Sequence, residues 1–564
     1  MNLLSVAVIH TPHVDYTAIM PELICLGGAL VLLLTGALNV RQIPTVVYTA
    51  MTVAISVAAL VSSLVLWHIV QLHGAFAAVA KSLAIDGFST AFVVLSSCIL
   101  IVAALVADGY LRREEIHGPE YHALALLAAS GAMFMAAAND LIVIFLGLEI
   151  MSIPLYILAG LDLRRQESGE AAMKYFVLGA FSSAIFVYGI ALTYGATGST
   201  NLAEIASYLA TNVLTSNGLL LAGLALLLVG FGFKIAAVPF HMWTPDVYQG
   251  APTPATGFMA AIAKVGGFAA LLRVFFSSFN TLAIDWKPLL FVLAILTLVT
   301  GAVLGLVQRD IKRMLAYSSI NHAGFVLLGL QAAATSGIAA SLYYVFVYAF
   351  LVLGSFTVIA LVSSRGDRDH RIENYRGLGR RQPVLALSFA ILLLAQAGAP
   401  FTTGFLAKLY VVEAAVQAHS YALAVIAMLS GAIAAAFYLR VVFVMYGSGP
   451  EPVSEAATAV AAPSEASAAG RLQPAAEVPA ALGGETSAPA AASGGGVAVA
   501  AAGVAVAVAG VGAEAAAAAS LSGQRVEIPL GAQIGLFLTV AFTIVFGVWP
   551  APLFDFVHAA RLLF

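Results

Sequence analysis

Five ionisable side chains sit in apolar stretches of this chain, where water is scarce. Glu149 lies in "FLGLEIMSIPLYILAG", Lys234 in "GFGFKIAAVPFHMWTPD" and Lys264 in "GFMAAIAKVGGFAALL". His322 lies in "AYSSINHAGFVLLGL" and Lys408 in "TTGFLAKLYVV". Lys234 follows sixteen residues, 218–233, without one charge. The chemistry open to such a set is proton transfer. Desolvation favours the neutral amine and a nearby carboxylate favours the ammonium. A lysine whose partner acid approaches or withdraws therefore gains and loses a proton. Central Lys or acid residues cost roughly 2.5–3.5 kcal/mol each to insert in a bilayer. One glutamate and three lysines together cost on the order of 10–14 kcal/mol, comparable with a whole domain's net stability. Packing alone does not retain such a set.

Each residue also has a quieter reading. Glu149 with Lys234 would make a static buried pair that fixes helix register. Lys264 would snorkel to an interface, and His322 beside Asn321 would be a satisfied core histidine. Lys408 would pair with Glu413 five residues on. Asp140, Glu22 and Asp86 stand at helix mouths and read as caps or water-facing groups. Tyr343, Tyr344 and Tyr348 form a stripe whose default role is packing.

The elements that carry these groups follow from composition. The chain is 61% hydrophobic and 9% charged, with a mean hydropathy of +0.99. Soluble domains carry about 25% charged residues, so the expected fold class is an all-α polytopic membrane protein. The net charge of −3 points to no class of partner. Cys25 and Cys98 lie in apolar runs without a CxxC or a neighbouring His, so neither zinc nor an iron–sulfur cluster is expected. No glycine-rich nucleotide loop follows a strand pattern. The N-terminus lacks a basic region before its apolar stretch, so no cleaved signal peptide is expected.

A span needs about 20 mainly apolar residues, and fourteen such segments are expected. They are 19–40, 45–68, 88–111, 121–138, 140–161, 169–197, 217–247, 251–279, 287–307, 310–331, 337–363, 382–418, 421–447 and 528–555. The seventh and twelfth are too long for simple helices, and each holds an internal proline, Pro239 and Pro400. Proline removes a helical hydrogen bond and frees the carbonyl four residues earlier. In lipid, such a break survives only where protein or trapped water satisfies the freed groups. Paired broken helices mark the working site of many transporters. The expected organisation is three N-terminal helices (1–120), two inverted five-helix repeats (121–280 and 281–447), a linker (448–526) and a last helix (527–564). Fifteen of the 25 Lys and Arg fall in connections after odd-numbered spans, Arg365, Arg368, Arg371, Arg376, Arg380 and Arg381 among them. Lys81 and Lys287 stand alone in the even-numbered connections. By the positive-inside rule the odd ends face the cytoplasm and both termini lie outside. Residues 448–526, rich in Ala, Gly, Pro, Ser and Glu, are expected as a cytoplasmic linker rather than a fifteenth span within 494–520. Glu149, Lys234, Lys264, His322 and Lys408 would each lie about 15–25 Å from a boundary. Groups level on separate helices make a row along the membrane, not a pore across it.

The runs "GLEIMSIPLYILAG", "FGFKIAAVPFHMWTPDVYQGAPTPATGFMAAIAK", "QRDIKRMLAYSSINHAGF" and "GAPFTTGFLAKLYVV" resemble the antiporter-like membrane subunits of respiratory complex I. Within that family the chain looks like the subunit N group of bacterial NADH–quinone oxidoreductase. The opening "MPELICLGGALVLLLTGALNV" also fits, and the resemblance covers nearly everything outside 448–526. Carried over, it assigns Glu149 to helix 5, Lys234 to helix 7, Lys264 to helix 8 and Lys408 to helix 12. Subunit M usually has glutamate at the last position, so Lys408 argues against that branch. The resemblance implies a mid-membrane Glu/Lys/His axis that moves protons while quinone is reduced elsewhere in the complex. It implies no cofactor in this chain, with flavin, iron–sulfur clusters and quinone in partner subunits. It also implies subunit M and small membrane subunits as partners, and the bacterial inner membrane as location. The Ala/Gly-rich insertion and Glu413 depart from the family pattern. The rival readings are an Mrp-type cation/proton antiporter subunit without redox drive and a scaffold that no longer pumps.

Overall fold

A computed structural model describes residues 14–38, 43–212, 217–332, 335–368, 370–447 and 528–563. The expected linker 448–526, with the candidate span inside it, and Arg41 lie outside the described residues. Helices dominate. In chain order they are α1 (Met20–Ala37), α2 (Thr45–His73), α3 (Gly87–Arg113), α4 (Glu120–Ala137), α5 (Leu141–Ala159), α6 (Gln166–Thr197), α7 (Leu202–Thr211), α8 (Gly218–Ile235), α9 (Trp243–Gly250) and α10 (Thr253–Ser277). There follow α11 (Ala283–Leu306), α12 (Ile311–Gln331), α13 (Thr335–Val362), α14 (Leu378–Arg381), α15 (Pro383–Ala397), α16 (Thr403–Gln417), α17 (Tyr421–Tyr446), α18 (Leu530–Val548) and α19 (Ala551–Ala559). A hairpin of β1 (Phe76–Ala78) and β2 (Leu83–Ile85) joins α2 to α3, an element the apolar pattern did not indicate. Three consecutive left-handed residues, Val79, Ala80 and Lys81, turn its tip. Asn139 and Asn201 side chains hold that tip through the Lys81 carbonyl, at 2.9 and 3.0 Å.

Among the described residues, eleven helices are long and apolar enough to cross a membrane. The chain is a multi-pass membrane protein. The three expected spans outside that count are α4, the polar-studded α12, and α15–α16, whose break leaves neither piece long enough. Some helix starts are fixed by side chains. Asp86 and Ser89 form a reciprocal capping box on α3, Asp140 caps α5, and Asp310 caps α12. Such caps satisfy amide donors that the first turn leaves orphaned.

Packing closes two rings of helices. In the first, α4, α5, α6, α8 and α10 contact one another in that order and α10 returns to α4. In the second, α11, α12, α13, the α15–α16 pair and α17 do the same, and α17 returns to α11. The tightest seams need glycine. A Cβ on Gly131 would lie 2.3 Å from the Met151 nitrogen across α4–α5, and one on Gly301 would lie 2.5 Å from the Asn321 nitrogen across α11–α12. The rings meet along α10 and α13, which with α3 are the most buried membrane helices.

Candidate proton-transfer site

Both broken helices end the same way. Helix α8 stops at Ile235 because Ala236 takes a left-handed conformation (φ 60°, ψ 40°), and the Ala237 amide donates back to the Gly232 carbonyl at 2.7 Å. Helix α15 stops at Ala397 because Gly398 is left-handed (φ 94°), and the Ala399 amide donates back to the Leu394 carbonyl at 2.9 Å. Each is a bond across five residues that closes a helix C-terminus. Pro239, after a cis peptide bond, and Pro400 lie in the gaps beyond these turns. The prolines were expected to make the breaks. The backbone turns three and two residues earlier instead, and the prolines prevent resumption.

A proline leaves the carbonyl four residues back without its amide donor. For Pro239 that carbonyl is Ile235, and for Pro400 it is Gln396. Lys264, reaching from α10, donates to the Ile235 carbonyl at 2.7 Å and to the Ser319 carbonyl on α12 at 2.9 Å. Lys408, on α16, donates to the Gln396 and Ala397 carbonyls at 2.9 and 2.8 Å. Each orphaned helix end thus holds a lysine ammonium, the charge that a helix C-terminus attracts. Lys264 is 3% exposed and bound to main chain, which excludes snorkelling. Lys408 turns away from Glu413, which is exposed and accepts from Gln417.

Lys234 is also buried, in the last turn of α8. It donates to the Ser152 hydroxyl on α5 at 2.7 Å, and the Tyr175 hydroxyl on α6 lies 3.5 Å away. Its ammonium stands 5.6 Å from the Tyr175 ring, which stacks on Trp243 at 4.4 Å. Glu149 does not meet Lys234. Among the described residues no ion pair within 4 Å joins the two, and Glu149 accepts from Ser183 at 2.5 Å instead. A cavity between α5, α6 and α8 is lined by Ser152, Ser182, Ser183, Tyr156, Phe233 and Lys234 among others.

His322, 3% exposed, has a hydroxyl at each ring nitrogen: Tyr344 2.7 Å from Nδ1 and Tyr438 3.1 Å from Nε2. On one side, Ser319 pairs with Tyr348 at 2.7 Å, and the Tyr348 ring lies 5.7 Å from the Lys264 ammonium and 5.4 Å from the His322 ring. On the other, Ser318 donates to the Gln396 side chain at 3.3 Å, the residue whose carbonyl binds Lys408. Lys264 thus nears His322 through Ser319 and the Tyr348 ring, and Ser318 and Gln396 stand between His322 and Lys408. Tyr344 and Tyr348 belong to this chain, whereas Tyr343 packs edge-on against Tyr410.

Two charged clusters outside this string were not read from the sequence. Asp86, fully buried rather than water-facing, binds Arg273 of α10 through both carboxylate oxygens at 2.9 Å and accepts the Leu563 amide at 2.9 Å. Arg273 was visible as an arginine inside the apolar run 251–279. Asp367 contacts Arg165 at 3.1 Å, Lys312 at 3.5 Å, His370 at 3.3 Å and the Thr253 hydroxyl at 2.7 Å. Burial pushes its carboxyl up, but Lys312, His370 and Thr253 outweigh that and hold it well below the usual carboxylate range. Glu22 is buried without capping α1. No cluster of three or more His, Cys, Asp or Glu able to hold a metal occurs among the described residues.

Residues 138–434 match the family described as NADH:quinone oxidoreductase/Mrp antiporter, TM. A relative from Parafrankia sp. (strain EAN1pec), NADH-quinone oxidoreductase subunit N, is 42% identical over 475 residues, covering 80% of this chain and 89% of the relative. A chain of respiratory complex I from Thermus thermophilus with bound aureothin superposes with a TM-score of 0.70 at 30% identity, over 96% of this chain and 100% of that one. The fold recurs, at 19% identity and a TM-score of 0.76, in the Mrp complex from Dietzia sp. DQ12-45-1b, over 96% of each chain.

Proposed function

The chain belongs to the NADH-quinone oxidoreductase subunit N family, and from that premise we propose that it moves protons within a redox-driven membrane complex. The carriers are Glu149, Lys234, Lys264, His322 and Lys408. The two helix rings act as inverted repeats, with α8–α9 and α15–α16 as their broken helices. Other membrane subunits of the complex, including an M-type subunit, flank the chain in the bacterial inner membrane, with both chain termini outside. Flavin, iron–sulfur and quinone chemistry belongs to partner subunits, and this chain supplies no redox centre.

One observation carries this reading: at each helix break, a carbonyl left open by the helix end is held by a buried lysine. A charged donor's hydrogen bond contributes about 1.5–3 kcal/mol against about 0.5–1.5 for a neutral one. The C-terminal helix dipole adds roughly 0.3–1 kcal/mol for a cation. Deprotonating Lys408, with its two carbonyl bonds, therefore weakens that helix end by about 2–4 kcal/mol. That shifts a two-state equilibrium by more than tenfold, since about 1.4 kcal/mol is a decade. Proton occupancy and the geometry of the break are thus one variable. A conformational signal arriving along the complex changes how tightly each lysine keeps its proton, and the reverse.

The test is proton uptake into vesicles holding the purified complex, with Lys234→Met and Lys408→Met. Both variants are expected to assemble and to lose pumping per NADH oxidised. Wild-type pumping in both would reject the reading. The alternative, an Mrp-type antiporter subunit, has fold likeness in its favour. It predicts cation-driven proton exchange that needs no NADH.

A further inference from the structure

The string from His322 to Lys408 depends at one point on a side chain that the lysine, glutamate and histidine pattern does not mark. We infer that the Tyr438 hydroxyl is a proton-relay group joining His322 to the Lys408 end of the row; this rests on the proton-transfer reading above. Tyr438 comes from α17, is fully buried, and places one hydroxyl against two partners, His322 Nε2 at 3.1 Å and the Ser318 hydroxyl. Among the described residues no other side chain hydrogen-bonds both His322 and Ser318. Tyr344 meets His322 at Nδ1, Tyr348 pairs with Ser319, and the Tyr343 hydroxyl has no hydrogen-bond partner.

The hydrogen count permits two complete arrangements. In one, His322 donates from Nδ1 to Tyr344 and accepts at Nε2 from Tyr438, which accepts from Ser318. In the other, Nε2–H donates to Tyr438, Tyr438 to Ser318, and Ser318 to the Gln396 side-chain oxygen. Passing a proton converts one into the other. The His322 Nε2–H bond breaks as a new O–H forms on Tyr438. The original Tyr438 proton goes to Ser318, and the Ser318 proton leaves for the neutral Lys408 amine, once that amine has left the Gln396 carbonyl. Each hydroxyl gains one proton and loses one, and a single positive charge moves from imidazolium to ammonium. The Gln396 amide accepts a hydrogen bond and carries no proton onward. The string is therefore closed until Lys408 releases its cap.

Tyr438→Phe removes this oxygen and keeps the ring. In the assembled complex in vesicles it is expected to lower pumping by about a hundredfold or more, the low end of positioned proton transfer, and to reduce the solvent isotope effect on turnover in deuterium oxide. Ser318→Ala should give the same defect, and the double variant no greater one, because both interrupt one wire. Wild-type pumping and isotope effect in Tyr438→Phe, beside a defective Lys408→Met, would overturn the relay and leave the wider reading intact. Should Tyr438→Phe not assemble, wild-type pumping in Ser318→Ala overturns it. Unimpaired Lys408→Met would remove both.

Discussion

Replacing Lys264 separates what the lysine does for stability from what it does for protons. In Lys264→Met the Ile235 carbonyl loses its donor, which costs about 1–3 kcal/mol for a buried group left unpaired. The Ser319 carbonyl lies inside α12 and keeps its helical amide partner. Against that loss stands relief of the charged group's insertion cost, about 2.5–3.5 kcal/mol. The difference runs from about 2.5 kcal/mol stabilising to about 0.5 kcal/mol destabilising. The methionine variant should therefore melt at or slightly above the parent temperature while pumping fails. Lys264→Arg asks the complementary question. Its guanidinium keeps the charge and can hold both carbonyls, yet stays protonated at every accessible pH, so the helix end remains capped and transfer still stops. The assay pairs thermal denaturation of the purified complex with vesicle pumping. Parallel loss of stability and pumping in the methionine variant, or parental pumping in the arginine variant, would refute the reasoning, because the lysine would then be a structural cation.

Asp86→Asn retains a competent α3 cap but strands the Arg273 guanidinium, at a cost of about 3–5 kcal/mol for a broken buried pair; Asp86→Asn with Arg273→Met should recover most of it in the same melting assay. The stability contributed by Asp367, whose carboxyl is held low, is complete above the unfolded carboxylate value of about 3.9 and is lost as pH falls through its lower folded value. Asp367→Asn should thus melt lower than the parent at neutral pH, and the two curves should begin to approach below about pH 4 and meet only below the lower folded value when melting is followed across pH. Gly404→Ala would place a Cβ 1.8 Å from the Ala395 carbonyl oxygen, forcing α16 off α15; native gels should show less assembled complex, and what assembles should pump poorly.

The membrane class, the helix pattern and the neighbourhood of both breaks were legible because they rest on composition and on what proline does to a backbone. The break turns were less so. Gly398 announces a left-handed cap beside Pro400, whereas Ala236 carries no such signal and is held there by its surroundings. The lysines stood out as isolated charges, but which carbonyl each would meet depended on α10 and α16 crossing a neighbouring helix end, a matter of tertiary approach. Ser152, Ser183, Ser318 and Tyr438 were invisible for a different reason. Hydroxyls are common in membrane helices, and nothing local separates one that bonds its own turn from one that meets a histidine. The charge of Arg273 was plain in its apolar run, but its partner Asp86 lies 187 residues away on another element, so the pair depended on tertiary approach.

Asp367 sits in a connection, the kind of segment that ordinarily exchanges its amide hydrogens fast and unravels first. Here its carboxylate gathers partners that precede α6, open α10 and open α12, so the segment cannot fray without stranding charge from both rings. The rings are therefore not separable folding units. Heating should dissolve them in one transition, and deuterium labelling should find this connection among the late-exchanging parts of the protein, an inversion of the usual order in which surfaces open before interiors.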